Sequence, residues 1–347
     1  MRRMTLRPMP RLLVLCCILL GGCLAQPPAA GLPGGRRVLK LELDGQWIGR
    51  GVSFSPYRDG QEPGQALPSD DELLADLRLV SPYWQLLRMY DSGPLTERAL
   101  ALIRRERLPV RLLLGAWINP ERDETLKAGN RSEAENAIRL ANAYPDLVLA
   151  VIVGNETCVE WSGHRSGPDV LIPWIRHVRR GVRQPVSTAD DLRFWNKSES
   201  ATVAAEIDFL TLHGYALWNS QPVEQAMVWT QDIHDMIARL HPGIPIVYGE
   251  TGWATRHDPT IRGPGGEGVV MTGEVSVPAQ ENYLRQHYDW VARTRIPTIL
   301  FEAFDENWKG GGAGAGPNVA EKHWGVFTAD RKPKASFEAI IRDYYKR

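Results

Sequence analysis

Val151-Ile152-Val153-Gly154-Asn155-Glu156 and Ile244-Pro245-Ile246-Val247-Tyr248-Gly249-Glu250-Thr251-Gly252-Trp253 are two apolar, β-branched runs, each carrying a carboxylate at its end. Runs of this kind read as buried strands. A buried strand normally ends in turn chemistry, so a Glu in that position sits at the rim of a sheet, where a substrate can reach it. Two such Glu residues on different strands suggest the paired-carboxylate arrangement that cleaves glycosidic bonds.

Working outward, strand-like runs alternate with helix-like ones from about Trp47 onward. The strand candidates are Ile48–Phe54, Trp84–Tyr90, Val110–Leu114, Leu147–Val153, Pro185–Thr188, Ile207–His213, Ile244–Tyr248 and Pro297–Phe301. Ser69-x-x-Glu72 and Ser132-x-x-Glu135 read as capping boxes that start helices. Pro168–Val182, Val223–Leu240, Pro278–Arg293 and Ala335–Tyr345 carry the apolar spacing of further helices. Continuous apolar strands alternating with helices predict a parallel sheet covered by helices. Eight repeats favour closure, so the expected α/β architecture is a single (β/α)8 TIM barrel, which needs roughly 250 residues of the chain.

Active sites of such barrels lie at the C-terminal ends of the strands. That rim receives Tyr57, Arg88, Tyr90, Trp117, Asn155, Glu156, Asp190, Asp191, His213, Tyr215, Glu250, Trp253, Glu302, Glu306, Trp308 and Lys309. Strands that served only a core would not need these residues. Tryptophan is abundant, at 12 residues. Trp117, Trp161, Trp195, Trp218, Trp253, Trp308 and Trp324 fall in or near the rim loops, where flat indoles could stack on sugar rings. Glu156 and Glu250 lie three βα units apart, across the mouth. One must hold a proton for the leaving oxygen and the other must be ionised to attack, a difference that two close like charges promote.

Lys+Arg equals Asp+Glu at 41 each, which argues against a nucleic-acid footprint. No HExxH or close-paired spacing occurs among the 8 His residues. His213 therefore reads as a hydrogen-bonded wall residue, and neither a metal nor a cofactor is expected. Arg2, Arg3, Arg7 and Arg11 precede an apolar run, Leu12–Leu20, that is too short to span a bilayer as a helix. It ends in Leu20-Gly21-Gly22-Cys23, which resembles a bacterial lipobox. Residues 1–22 are then a lipoprotein signal peptide, Cys23 the lipidation site, residues 23–37 a flexible tether and residues 38–347 the catalytic domain. Leu24, where an Asp would signal inner-membrane retention, points to the outer membrane facing the periplasm, or to export. Once the leader is removed and Cys23 acylated, Cys158 is the remaining cysteine, so the domain has no internal disulfide. A monomer is the expectation.

Gly51-Val52-Ser53-Phe54-Ser55-Pro56-Tyr57, Leu87-Arg88-Met89-Tyr90, Val153-Gly154-Asn155-Glu156, Tyr248-Gly249-Glu250-Thr251-Gly252-Trp253 and Phe301-Glu302-Ala303-Phe304-Asp305-Glu306-x-Trp308-Lys309 together resemble glycoside hydrolase family 17. The likeness is to its bacterial β-glucan-active branch. The resemblance implies Glu156 as acid/base, Glu250 as nucleophile and Asn155 on the sugar 2-hydroxyl. It places Tyr215 near the nucleophile and has Arg88 keep Glu250 ionised. It also implies β-1,3-glucan as the partner, either hydrolysed or transferred to another sugar. Two features depart from the pattern: Asn307, where bacterial relatives often carry Pro, and the Gly/Ala-rich loop Gly310–Gly316. Both lie toward the outer subsites. An inactive carbohydrate-binding lipoprotein is the alternative from another class, and retention of both Glu residues with their neighbours weighs against it.

Overall fold

The structure, a computed structural model, describes residues 35–345. The leader, Cys23 and most of the expected tether lie outside the described residues. A two-residue Asp44-Gly45 turn joins β1 (Glu42–Leu43) to β2 (Gln46–Trp47) in an antiparallel hairpin. Both turn residues have positive φ, 50° and 76°, the geometry of the tight hairpin turn that Asp-Gly favours. Eight parallel strands follow: β3 (Arg50–Ser53), β4 (Leu86–Met89), β5 (Arg111–Ala116), β6 (Val148–Asn155), β7 (Val186–Asp191), β8 (Leu210–His213), β9 (Ile246–Thr251) and β10 (Thr298–Leu300). Each pairs with its neighbours and β10 returns to β3, closing the barrel. The (β/α)8 expectation is met, with each expected strand found in its place and order.

The weakest strand signal, Pro185–Thr188, belongs to β7, four of whose six residues are polar although all six are buried. Ser187 explains how: its hydroxyl reaches Phe209 O at 2.6 Å and Thr211 Oγ1 at 2.8 Å. Buried hydroxyls that find partners carry little penalty, but they erase the apolar pattern. Ile48–Phe54 is shortened, because the barrel strand runs only from Arg50 to Ser53 and the hairpin ends just before Ile48.

Ser69 caps the helix Asp70–Val80 through a complete capping box. The second expected box is corrected. Helix Glu124–Ala143 starts at Asp123, whose side chain accepts from Leu126 N, so Ser132 lies inside it. The first two turns were hidden because their buried position is Asn130, which exchanges two hydrogen bonds with the Asn119 backbone. Helices Pro168–Gly181 and Val277–Thr294 match their patterns. Val223–Gln225 is a 3-10 turn ahead of helix Ala226–Leu240. The last pattern divides into an α-helix over Ala335–Ile340 and a π-turn over Ile341–Tyr345.

Two apolar layers result. One lies between the barrel and its helices. The other fills the barrel's lower half, where Leu41, Leu43 and Ile48 of the hairpin segment meet Leu86, Leu113, Ile152, Phe209, Val247 and Ile299. The hairpin therefore plugs the floor. The tether expectation is corrected at its described end. The Arg37 backbone N–H donates to Asp208 Oδ1 at 2.7 Å, and its guanidinium to Gln184 O and Arg179 O. Asp208 is buried against Arg179 at 2.8 Å, so the chain is pinned to the floor before residue 38. No helix among the described residues is long and apolar enough to cross a membrane.

Candidate active site

Arg88 stands at the centre of the barrel mouth, with only 2 % of its surface exposed. It projects from β4 two residues above Leu86, so both point to the barrel interior. Its Nη1 donates to Gly249 O at 2.8 Å and to Glu250 Oε1 at 3.0 Å, and it stands 2.9 Å from His213 Nε2. Its Nη2 donates to Asn155 Oδ1 at 2.6 Å. The approach depends on Gly249, where a Cβ would fall 3.2 Å from Arg88 Nη1 and 2.3 Å from Thr211 Cγ2.

Glu250 is held on both oxygens, because Tyr215 OH donates to Oε2 at 2.6 Å. Burial alone would raise its pKa. His213, Arg88 and the hydroxyls of Tyr215 and Tyr90 outweigh burial and bring it below the ordinary carboxylate value. Burial keeps His213 neutral down to about 4, so the cation that persists at neutral pH is Arg88. Glu156 sits opposite, its side chain 17 % exposed. Burial first, then the charges of Glu250 and Asp191, push its pKa well above the ordinary value. Because Arg88 donates to His213 Nε2, the imidazole proton lies on Nδ1, which meets Glu156 Oε1 at 2.9 Å. One carboxyl is thus set to keep a proton and the other to lose it.

Both motifs rely on an inserted residue. Ile152 to Asn155 in β6 spans three residues where Ser187 to Ala189 in β7 spans two. Tyr248 to Glu250 in β9 spans two where Leu212 to His213 in β8 spans one. Such bulges re-aim side chains at the ends of strands. Glu156 itself has φ of +50° and follows Gly154 at +82°, a left-handed conformation uncommon for a side chain like Glu. At residue 154 a Cβ would also lie 2.7 Å from Thr157 Oγ1.

A cleft of about 1080 Å³ opens above these groups. Tyr57, Tyr90, Asn155, Glu156, Tyr215, Glu250, Trp308 and Lys309 line it, as do Trp117, Trp161, Trp218 and Trp324. Four expected contacts are corrected: Arg88 does not line the cleft and acts from beneath it on Glu250 and Asn155, and the other three are Trp253, Glu302 and Glu306. Trp253 is 1 % exposed, stacked on Tyr283, with its indole N–H on Glu274 O at 2.9 Å, because the chain after Gly252 folds under helix Val277–Thr294. Glu302 and Glu306 are each 1 % exposed and grip the Lys309 ammonium from below. Glu306 also accepts from Ser55 Oγ at 2.8 Å and Trp308 Nε1 at 3.0 Å. They shape the wall through Lys309 and Trp308 and do not line the cleft. Trp195 is likewise core, bonded to Thr211 O.

Sequence reasoning missed Glu133 and Glu321, which line the cleft. Glu133 lies on a helix and accepts the N–H groups of Ser92 and Trp117, and no local signal marks that role. Among the described residues, Glu156, His213 and Glu250 offer atoms within 4.8 Å of one another. As a metal site they fit poorly, since the Arg88 guanidinium already engages His213 Nε2 and Glu250 Oε1.

Residues 51–325 match the BtgE/BtgC glycoside hydrolase domain. The chain belongs to that glycoside hydrolase family. A glucan 1,3-beta-glucosidase of Arthroderma benhamiae is 28 % identical over 296 residues, covering 82 % of this chain and 88 % of the relative. One of Candida albicans is 30 % identical over 251 residues, covering 65 % and 72 %. In fold, the chain is similar to an endo-laminarinase from Formosa, with a TM-score of 0.72 at 21 % identity over 86 % of this chain and 88 % of that one. It is also similar to a glycoside hydrolase family 17 beta-1,3-glucanosyltransferase from Rhizomucor miehei, with a TM-score of 0.64 at 23 % identity over 82 % and 95 %. For a glycoside hydrolase, the spacing of the two carboxylates bears on stereochemistry. One oxygen from each lying within 4.8 Å of the other suits the close pair of a retaining enzyme, about 5–5.5 Å between carboxyls.

Proposed function

We propose that this glycoside hydrolase acts on β-1,3-linked glucan by double displacement, with Glu156 as acid/base and Glu250 as nucleophile. The observation that carries the reading is the oppositely polarised carboxylate pair beneath an aromatic cleft. The ionised Glu250 attacks the anomeric carbon while Glu156 gives its proton to the departing glycosidic oxygen. The bond to the aglycone breaks and a glycosyl ester forms on Glu250. Glu156, now a carboxylate, takes a proton from an incoming hydroxyl, which displaces Glu250 and restores both groups. Asn155 has its Oδ1 committed to Arg88, leaving its amide N–H groups for a sugar hydroxyl. The names of the sequence relatives support the choice of linkage.

The incoming hydroxyl decides between hydrolysis and transfer. Hydrolysis is the reading adopted. Trp117, Trp161, Trp218, Trp308 and Trp324 along the cleft favour a second reading, glucan transfer, because stacked acceptor sugars compete with water. Incubation with an end-labelled β-1,3-gluco-oligosaccharide, with products resolved by mass, separates the two. Shorter products alone mean hydrolysis, and products longer than the substrate mean transfer. If the wild type changes no β-glucan while Glu156→Gln and Glu250→Gln still bind it, the catalytic reading fails and a binding lipoprotein replaces it.

We also propose that the chain belongs to a bacterial branch and is exported, acylated at Cys23 and held as a monomer at the outer membrane facing the periplasm. The basic n-region, the short apolar run and Leu20-Gly21-Gly22-Cys23 support this. The chain joins the barrel floor at Gly35–Arg37, the end opposite the cleft. Mass spectrometry of the mature N-terminal peptide tests it: an acylated Cys23 is expected, and an unmodified one overturns the anchor.

A further inference from the structure

The peptide unit between Asn155 and Glu156 is clamped at both ends. Its N–H donates to Ala189 O of β7 at 2.8 Å. Its carbonyl, Asn155 O, lies 2.6 Å from His164 Nε2. A carbonyl only accepts, so the His164 proton sits on Nε2 and Nδ1 is left to accept from Ser162 Oγ at 3.3 Å. The orientation of this peptide plane sets φ of Glu156, the residue held at +50°. The His164 ring also packs against the Trp117 ring, centroid to centroid 4.6 Å, and Trp117 lines the cleft. The loop that carries His164 is tied down at its base, where Ser166 N and Gly167 N both donate to Thr157 O.

We propose that His164 is a positioning residue for the acid/base step. It locks the Asn155–Glu156 peptide so that the Glu156 carboxyl points at the glycosidic oxygen. Glu250 is held directly by Arg88 and Tyr215 and reaches His164 only at one remove, through Arg88 and the Asn155 side chain. Loss of His164 therefore disturbs proton donation and leaves nucleophilic attack in place. This role rests on the reading of Glu156 as the acid/base.

The test compares two substrates of the full chain: an unactivated β-1,3-gluco-oligosaccharide and a 2,4-dinitrophenyl β-1,3-glucoside, whose leaving group needs no proton. kcat/KM reports the glycosylation step for both. His164→Ala is expected to lower it by about 10- to 100-fold on the oligosaccharide, the scale of an ångström-sized misplacement, and less than about 3-fold on the dinitrophenyl substrate. His164→Gln, whose amide N–H can stand where Nε2 stands, should recover most of the loss. Equal losses on both substrates, or none on either, would overturn the proposal. Glu156→Ala serves as the control. If it too loses equally on both substrates, the acid/base reading itself falls, and this role with it. If it alone discriminates, only the His164 role is lost.

Discussion

The floor and the mouth of the barrel are built from the same strands and obey opposite rules. β4 supplies Leu86 to the floor and, two residues on, Arg88 to the mouth. The chain through β8 leads from Phe209, just before the strand, to His213 at its end in the same way. At the floor, apolar side chains interlock under a hairpin plug. At the mouth, a guanidinium, an imidazole and two carboxyls are buried together, where each unpaired charge would be strongly unfavourable. Arg88 makes that arrangement tolerable by meeting four partners at once. The floor is a store of stability, and the mouth holds charge in place for chemistry. Substitutions in the two regions should therefore fail in different measurements.

The largest effect is expected at the mouth. Glu250→Gln should lower kcat by on the order of 10⁴-fold or more in protein that still folds, although the buried Arg88 guanidinium loses its counter-charge and the unfolding midpoint should fall as well. Loss of activity matched by loss of fold would erase the distinction between the regions.

The floor should show the converse. Phe209→Ala opens a cavity inside the barrel and should remove about 3–5 kcal/mol of stability in denaturant titrations. The protein that remains folded should keep its kcat within about 2-fold. A matched pair sharpens the point near the rim: Trp253→Ala should behave like Phe209→Ala, and Trp308→Ala should raise KM for long oligosaccharides with little change in stability. If Trp253→Ala acted on KM alone, its assignment to the core would be wrong.

The pH profile probes the charges directly. The proposed double displacement requires Glu250 ionised and Glu156 protonated. Glu250 is depressed, so activity should survive well into the acid range and fall only as pH drops through its lowered value. Glu156 is raised, so activity should be lost as pH climbs through its elevated value. Glu156→Gln should abolish the alkaline limb on a dinitrophenyl substrate, while Arg88→Met should move the acid limb upward. An unmoved acid limb in Arg88→Met would remove Arg88 from its role on Glu250. The smallest effect belongs to the helix cap: Ser69→Ala should reduce stability by about 1 kcal/mol with unchanged kinetics.

Much was legible in the chain because it is local. Apolar runs ending in Asn155-Glu156 and Gly249-Glu250 marked strands with carboxylates at one end, and eight alternations implied closure. What lay beyond the sequence was everything that depends on which residues face each other. Trp253 and Trp308 look alike in the sequence, yet one packs under a helix and the other lines the cleft. Glu133 and His164 act on Trp117 and Asn155, 16 and 9 residues away, through chain reversals that no local pattern marks.

By itself, the sequence determined the barrel and its two rim carboxylates, since periodicity and strand ends are written in neighbouring residues. Only the tertiary structure decided how those carboxylates differ. The bulges in β6 and β9 re-aim the strand ends, and Arg88 from β4 with His213 and Tyr215 from the end of β8 polarises the pair. Proton affinity is set by burial and by charges a few ångströms away, and those distances exist only once the strands have closed.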